Sequence, residues 1–256
     1  MSGITMSGFT MSGITMKRVF LAAMVAVMLV AVPVLAADKY DVVDVKGGGS
    51  IKGKIKATST PADPMLTINK DTEFCGKDQK AGMYVVAADG GVKNVIVAVM
   101  DVAKGKAIPK TDTIVDNKKC EFAPLVSVAY KGQNYKIRNS DPIFHNTSLG
   151  LMLGDKRRTV YNLALPNKDQ EITKAVKVAG MQDLKCDAHA WMRGFVYASD
   201  SPYATVTDDK GNFEIKDLLP GKYKVMIWHE GFGQTEQSVE VKAGAATDMD
   251  ATLSKK

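Results

Sequence analysis

Residues 186–192 read Cys-Asp-Ala-His-Ala-Trp-Met, and this stretch decides the reading of the chain. Cys186, His189 and Met192 stand at every third position, so a thiol, an imidazole and a thioether share one short loop. The run that follows, Arg193 to Ala198, alternates as a strand does. Upstream, His145 stands in Asn-Ser-Asp-Pro-Ile-Phe-His-Asn, residues 139–146. Before it lie two strand-like runs, Leu125 to Tyr130 and Tyr135 to Asn139. A turn at Lys131 and Gly132 between them predicts a hairpin.

One thiolate and two imidazoles in a plane, with a weak axial thioether, form the donor set of an electron-transfer copper site. Structural zinc prefers four Cys or His ligands, while calcium and magnesium take oxygens. The residues resemble the cupredoxins, most closely the amicyanin and pseudoazurin branch. NSDPIFHN is similar to that family's Asn-x-Asp-x-x-x-His-Asn segment, which implies His145 as first imidazole ligand and Asn146 as the buttress of the ligand loop. CDAHAWM is similar to the short amicyanin-type loop, which implies Cys186 as thiolate, His189 as second imidazole and Met192 as axial ligand. Ala190 stands where such loops usually carry proline. The resemblance covers roughly residues 120–200. It also implies that His189 is the ligand nearest solvent, behind an apolar rim of Ile143, Phe144 and Trp191.

The composition agrees with an all-β fold. The chain has 256 residues, 45% apolar and 24% charged, which excludes disorder, collagen and coiled coil. Twenty-two glycines and nine prolines, with short Val, Ile, Thr and Tyr runs, favour strands and turns. The net charge of +6 is spread along the chain rather than clustered, so nucleic acid is not an expected partner.

The first 37 residues are set aside. Three pentads, MSGIT, MSGFT and MSGIT, precede Met16, Lys17 and Arg18 and an apolar run from Val19 to Val32. Pro33 to Ala36 then offers a small-residue cleavage site, the pattern of a secretory signal peptide. This predicts a periplasmic or secreted protein with no stable membrane span after cleavage. Export permits disulfides, and there are three cysteines. Cys75 and Cys120 have similar polar flanks and are expected to pair, leaving Cys186 free for metal.

From Ser201 onward the chain shows short strands broken by turns at Asp208–Gly211 and Pro220–Gly221. Thr207–Phe213 and Leu218–Tyr223 resemble the pieces TD-x-x-G-x-F and L-x-PG-x-Y of the carboxypeptidase regulatory-like, or transthyretin-like, β-sandwich. The run Gly49–Ile55 resembles the opening strand of such modules. The expected organisation is therefore an upstream extension and signal peptide over 1–37 and an N-terminal β segment over 38–119. A Greek-key cupredoxin sandwich follows over 120–200, and a small transthyretin-like sandwich over 201–256. Chained together, the pieces resemble exported cupredoxin-like or methylamine-utilisation-type proteins.

The expected function is an exported carrier of single electrons holding one type 1 copper. Its expected partners are a c-type cytochrome or a periplasmic dehydrogenase, met transiently. Two other readings stay open: a copper-handling protein without electron transfer, and an adhesion or carbohydrate-contact module with a structural metal. Exposed aromatic residues lining one face of 201–256 would support the second, and the even spacing of Tyr203, Phe213, Tyr223 and Phe232 leaves that undecided. With no Ser/His/Asp arrangement and no phosphate-binding glycine loop, the chain is read as a non-enzyme. Trp228, His229 and Glu230 form a further trio of open role, in which His229 reads as a structural residue.

Overall fold

The computed structural model describes residues 40–255. The pentads and the signal-peptide expectation lie outside the described residues. In chain order the first strands are β1 (Asp41–Val42), β2 (Gly49–Ala57), β3 (Met65–Leu66), β4 (Gln79–Lys80), β5 (Ile96–Val99), β6 (Lys104–Gly105) and β7 (Thr113–Lys118). One short helix, α1 (Thr72–Cys75), lies between β3 and β4. Next come β8 (Glu121–Ala123), β9 (Val126–Tyr130), β10 (Asn134–Asn139), β11 (His145–Leu153), β12 (Lys156–Leu165), β13 (Gln170–Ala175), β14 (Gly180–Lys185) and β15 (Arg193–Ser199). The last are β16 (Ala204–Val206), β17 (Asn212–Leu218), β18 (Gly221–His229), β19 (Gly233–Val241), β20 (Ala246–Asp248) and β21 (Ala251–Leu253). The protein is all-β, and among the described residues no helix is long and apolar enough to cross a membrane.

Four sheets stack as two sandwiches. The first pairs a sheet of order β13-β10-β7-β8 with one of order β12-β11-β14-β15-β9. The second pairs β16-β5-β18-β19 with β17-β2-β20, β21 also joining β2. The period-2 alternation of strand side chains assigns each residue to a layer. In β15, Val196 and Ala198 enter the core of the first sandwich, while Phe195 and Tyr197 point the other way. In β18, Val225 and Ile227 enter the core of the second, while Met226 and Trp228 turn back toward β15. Ile96, Ala98, Met226 and Trp228 thus meet Val126, Phe195 and Tyr197 in a third apolar layer between the sandwiches. The rings of Phe195 and Trp228 lie 5.0 Å apart. Side chains of this size contribute roughly 1.5–3 kcal/mol each when buried, so this layer joins the two halves firmly.

The hairpin expected from Leu125 to Asn139 does not form. β9 pairs in parallel with β15, whereas β10 pairs with β7 and β13 in the opposite sheet. The Lys131–Gly132 turn carries the chain across the core, because both strands have a buried face to supply. The same crossing recurs at Asp208–Gly211 and at Pro220–Gly221, which connect strands of different sheets. Gly211 has φ +78°, and a Cβ there would meet the Ile55 carbonyl oxygen at 2.5 Å, so this turn requires glycine.

The segment before residue 120 is shared out. β2 and β5 lie in the second sandwich, β7 lies in the first, and the segment that carries Leu66, Ile68 and Cys75 packs against the core of the first. Cys75 and Cys120 form a disulfide across a sequence separation of 45, tying that segment to the β7–β8 hairpin. The hairpin turn is two residues, Lys119 and Cys120, with φ of 57° and 58°. Left-handed backbone at both central positions matches the twist of the flanking strands.

Candidate metal centre

His145 opens β11, Cys186 follows β14, and His189 and Met192 lie on the loop between β14 and β15. β11 and β14 are antiparallel neighbours, pairing Ser148 with Lys185, which brings the start of one strand beside the end of the other. As a result the ring Nδ1 atoms of His145 and His189 lie 3.0 Å apart, and Cys186 Sγ lies 3.9 Å and 3.6 Å from them. His145 and His189 are fully buried, and Cys186 nearly so. Burial lowers the pKa of His145, favouring the neutral imidazole that ligates metal. Met192 is buried in the same apolar cluster, and its N–H donates to the His189 carbonyl at 3.0 Å.

Each imidazole also has a carboxylate on its far nitrogen. His145 Nε2 lies 2.9 Å from Asp141 Oδ2, and His189 Nε2 lies 2.8 Å from Asp71 Oδ2. A proton held on Nε2 by a carboxylate leaves the Nδ1 lone pair facing inward, toward the other two donors. Ligating histidines are oriented in this way by their outer partners. Asp141 does more than orient His145. It also accepts the N–H groups of Lys119 at 2.7 Å and Cys120 at 2.9 Å, so the left-handed turn and His145 share one buried carboxylate.

Asn146 holds the loop. Its Oδ1 accepts the N–H groups of Asp187 at 2.6 Å and Ala188 at 3.3 Å, and the Cys186 thiol lies 3.5 Å away. Its Nδ2 donates to Asn162 Oδ1 and to Asp187 Oδ2, both at 2.9 Å. One side chain thereby satisfies two loop amides that helix or sheet would otherwise take up. The donor set fits copper: one cysteine sulfur and two imidazoles converge in a buried pocket, with a thioether in the same apolar cluster.

His189 does not reach solvent, contrary to the expectation that it would be the member of the set nearest to it. It is fully buried because the loop bearing Asp71, anchored through Cys75 to Cys120, lies over its outer edge. The expected apolar rim is likewise reduced to one residue. Phe144 is 46% exposed, whereas Ile143 is half-buried and Trp191 is buried, its indole N–H donating to the Cys120 carbonyl at 3.2 Å. A concavity lined by Lys70, Phe144, Asn162, Asp187 and Ala188 reaches the loop from the Asn146 side.

Asp71 carries no sequence signal, since nothing in its neighbourhood resembles a site. Asp141 does: it lies within the quoted NSDPIFHN segment, four residues before His145, where a carboxylate able to reach the ring could have been anticipated. Among the remaining residues of interest, His229 is buried, accepts the Gly231 N–H on Nδ1 at 3.1 Å, and packs between Tyr84 and Phe232. Burial pushes its pKa down to about 4.

The fold and site define an all-β protein of two joined sandwiches with a buried His2Cys cluster. The sequence profile of the carboxypeptidase regulatory-like domain matches residues 195–254. No curated protein matches the chain. Among solved structures it is similar to a purple cupredoxin from Nitrosopumilus maritimus, at 21% identity over 35% of this chain and 100% of that one, TM-score 0.30. It is similar to amicyanin from Paracoccus versutus, at 21% identity over 36% of this chain and 85% of that one, TM-score 0.29. A copper-containing nitrite reductase from Thermus scotoductus SA-01 matches at 16% identity over 37% of this chain, TM-score 0.30. The match spans about a quarter, 24%, of that reductase's own length.

Proposed function

We propose that this is an exported copper protein of the cupredoxin type, which passes single electrons between redox partners. The observation that supports it most is the convergence of His145 Nδ1, His189 Nδ1 and Cys186 Sγ, with Asp141 and Asp71 holding the far nitrogens. Copper bound there would supply one-electron exchange between Cu(II) and Cu(I). His145, Cys186 and His189 would hold it, with the Met192 thioether as a further donor.

The chain's own residues supply rigidity and dryness. Asn146 fixes the loop amides, Asp141 fixes His145, and the Asp71 segment excludes water from His189. A site held in one geometry reorganises little when its charge changes, which favours fast transfer. Because Asp71 covers His189, a partner reaches the loop from the Phe144 side, over Lys70, Asn162, Asp187 and Ala188. A c-type cytochrome or a periplasmic dehydrogenase, meeting a small and transient interface, suits that role. The same cover favours retention of metal over delivery. The adhesion reading loses its support, since Tyr203, Phe213 and Phe232 are buried and Tyr223 packs against their core. A carrier reading also leaves the chain a non-enzyme.

Retention and transfer are tested together by mixing the reduced, copper-loaded chain with an oxidised c-type cytochrome and with a Cu(I) chelator. A carrier reduces one equivalent of cytochrome per copper while the copper stays bound. Rapid loss to the chelator without cytochrome reduction would favour copper handling.

A further inference from the structure

The second sandwich reaches the ligand loop of the first through one ion pair. Arg193 directly follows Met192 and opens β15. Its guanidinium meets the Glu230 carboxylate in a fork, Nε to Oε2 at 2.7 Å and Nη2 to Oε1 at 2.9 Å. Nη2 also donates to the Ala81 carbonyl at 3.0 Å. The Glu230 side chain is only 5% exposed and that of Arg193 22%. Glu230 lies just beyond the end of β18, and its neighbours are firmly placed. His229 stacks with Tyr84 and lies tilted against Phe232, and the Tyr84 hydroxyl donates to the Gly231 carbonyl at 3.2 Å.

A buried pair of this kind is weak evidence for stability, because desolvation of both charges offsets their attraction. What a bidentate fork does provide is a fixed distance and orientation. We propose that Glu230 of the second sandwich is a positioning residue for the metal-ligand loop, acting through Arg193 to set where Met192 and His189 stand. This inference rests on the copper reading above. It gives the second sandwich a task in the redox site: it holds the C-terminal end of the ligand loop, as Asn146 holds its N-terminal end.

The test uses the full chain. Glu230→Gln keeps the shape and removes the charge, Arg193→Lys keeps the charge and removes the fork, and Glu230→Asp keeps both at shorter reach. Each variant is loaded with Cu(II), and its visible band ratio, EPR hyperfine splitting and midpoint potential are compared with wild type. In parallel, amide and imidazole NMR shifts of His145, His189 and Met192 are recorded in the metal-free chain. Positioning predicts that Glu230→Gln and Arg193→Lys shift the band ratio and potential at unchanged copper stoichiometry, with Glu230→Asp closer to wild type. A purely structural pair would lower the melting temperature and leave all spectra at their wild-type values, which would overturn the proposal. Should the single variants not fold, Arg193→Met combined with Glu230→Met removes the pair without leaving a lone charge, and the same readings apply. If wild type takes up no copper, the copper reading fails. The metal-free NMR comparison then still decides whether Glu230 places the loop.

Discussion

The Nε2 atom of His189 lies 2.8 Å from a carboxylate oxygen of Asp71, a residue 118 positions upstream. That contact closes the edge of the site that the loop alone would leave open. Removing the carboxylate while keeping the shape isolates its effect. Asp71→Asn is expected to weaken copper binding by about 10- to 100-fold, the usual cost of losing the outer partner of a ligating histidine. Competition with a chelator of known affinity measures this. An unchanged affinity would mean that Asp71 covers His189 without orienting it.

Asn146 satisfies the amides of Asp187 and Ala188. Asn146→Ala leaves both without that partner at a half-buried place open to water, so the cost is expected at or below about 1 kcal/mol for each. A lowered urea midpoint is expected, together with a broadened copper EPR signal, since the Cys186 end of the loop is freed. Loss of stability with a sharp, unchanged signal would show that Asn146 supports the fold and not the site.

The disulfide closes a loop of sequence separation 45 and holds the Asp71 segment down. Replacing both Cys75 and Cys120 with serine is expected to cost ~4 kcal/mol of stability in the chain-entropy account. It should also speed copper release, because the cover over His189 loses its anchor. Release at the wild-type rate would show that Asp71 stays in place without the tether.

His229 gives the chain a pH-dependent stability. Its pKa is about 4 in the folded protein against 6.5 when unfolded. As pH falls through 6.5 the unfolded chain takes up a proton that the folded chain refuses until about pH 4. The stability present above pH 6.5 is therefore lost in that window, by about 3 kcal/mol near its lower end. Unfolding free energies at pH 7 and pH 4.5 should differ more in wild type than in His229→Gln. Equal differences would show that His229 contributes nothing to the slope.

The parts of the site that were legible in the sequence are local. Cys186, His189 and Met192 share one loop, and His145 with Asn146 sits in a second short segment, so donor chemistry and spacing brought them forward. The Cys75–Cys120 pairing could be read from flanking residues and export. Asp71 could not, because a carboxylate becomes a partner only when the chain folds back over the site, and composition carries no trace of that. The all-β character follows from alternating runs such as 134–139. Which sheet receives each run does not, since alternation marks a buried face without saying which core it enters. That is why Leu125 to Asn139 reads as a hairpin and folds as a crossing between sheets. The buried Arg193–Glu230 pair was hidden for the same reason: 37 residues separate its members.

Whether His145, Cys186, His189 and Met192 hold one redox-active copper is decided by a Cu(II) titration followed by visible absorption and EPR. An intense thiolate charge-transfer band and a narrow copper hyperfine splitting are expected, saturating at one equivalent and vanishing in Cys186→Ser. A pale spectrum with wide splitting, or intense colour that survives Cys186→Ser, would contradict that assignment.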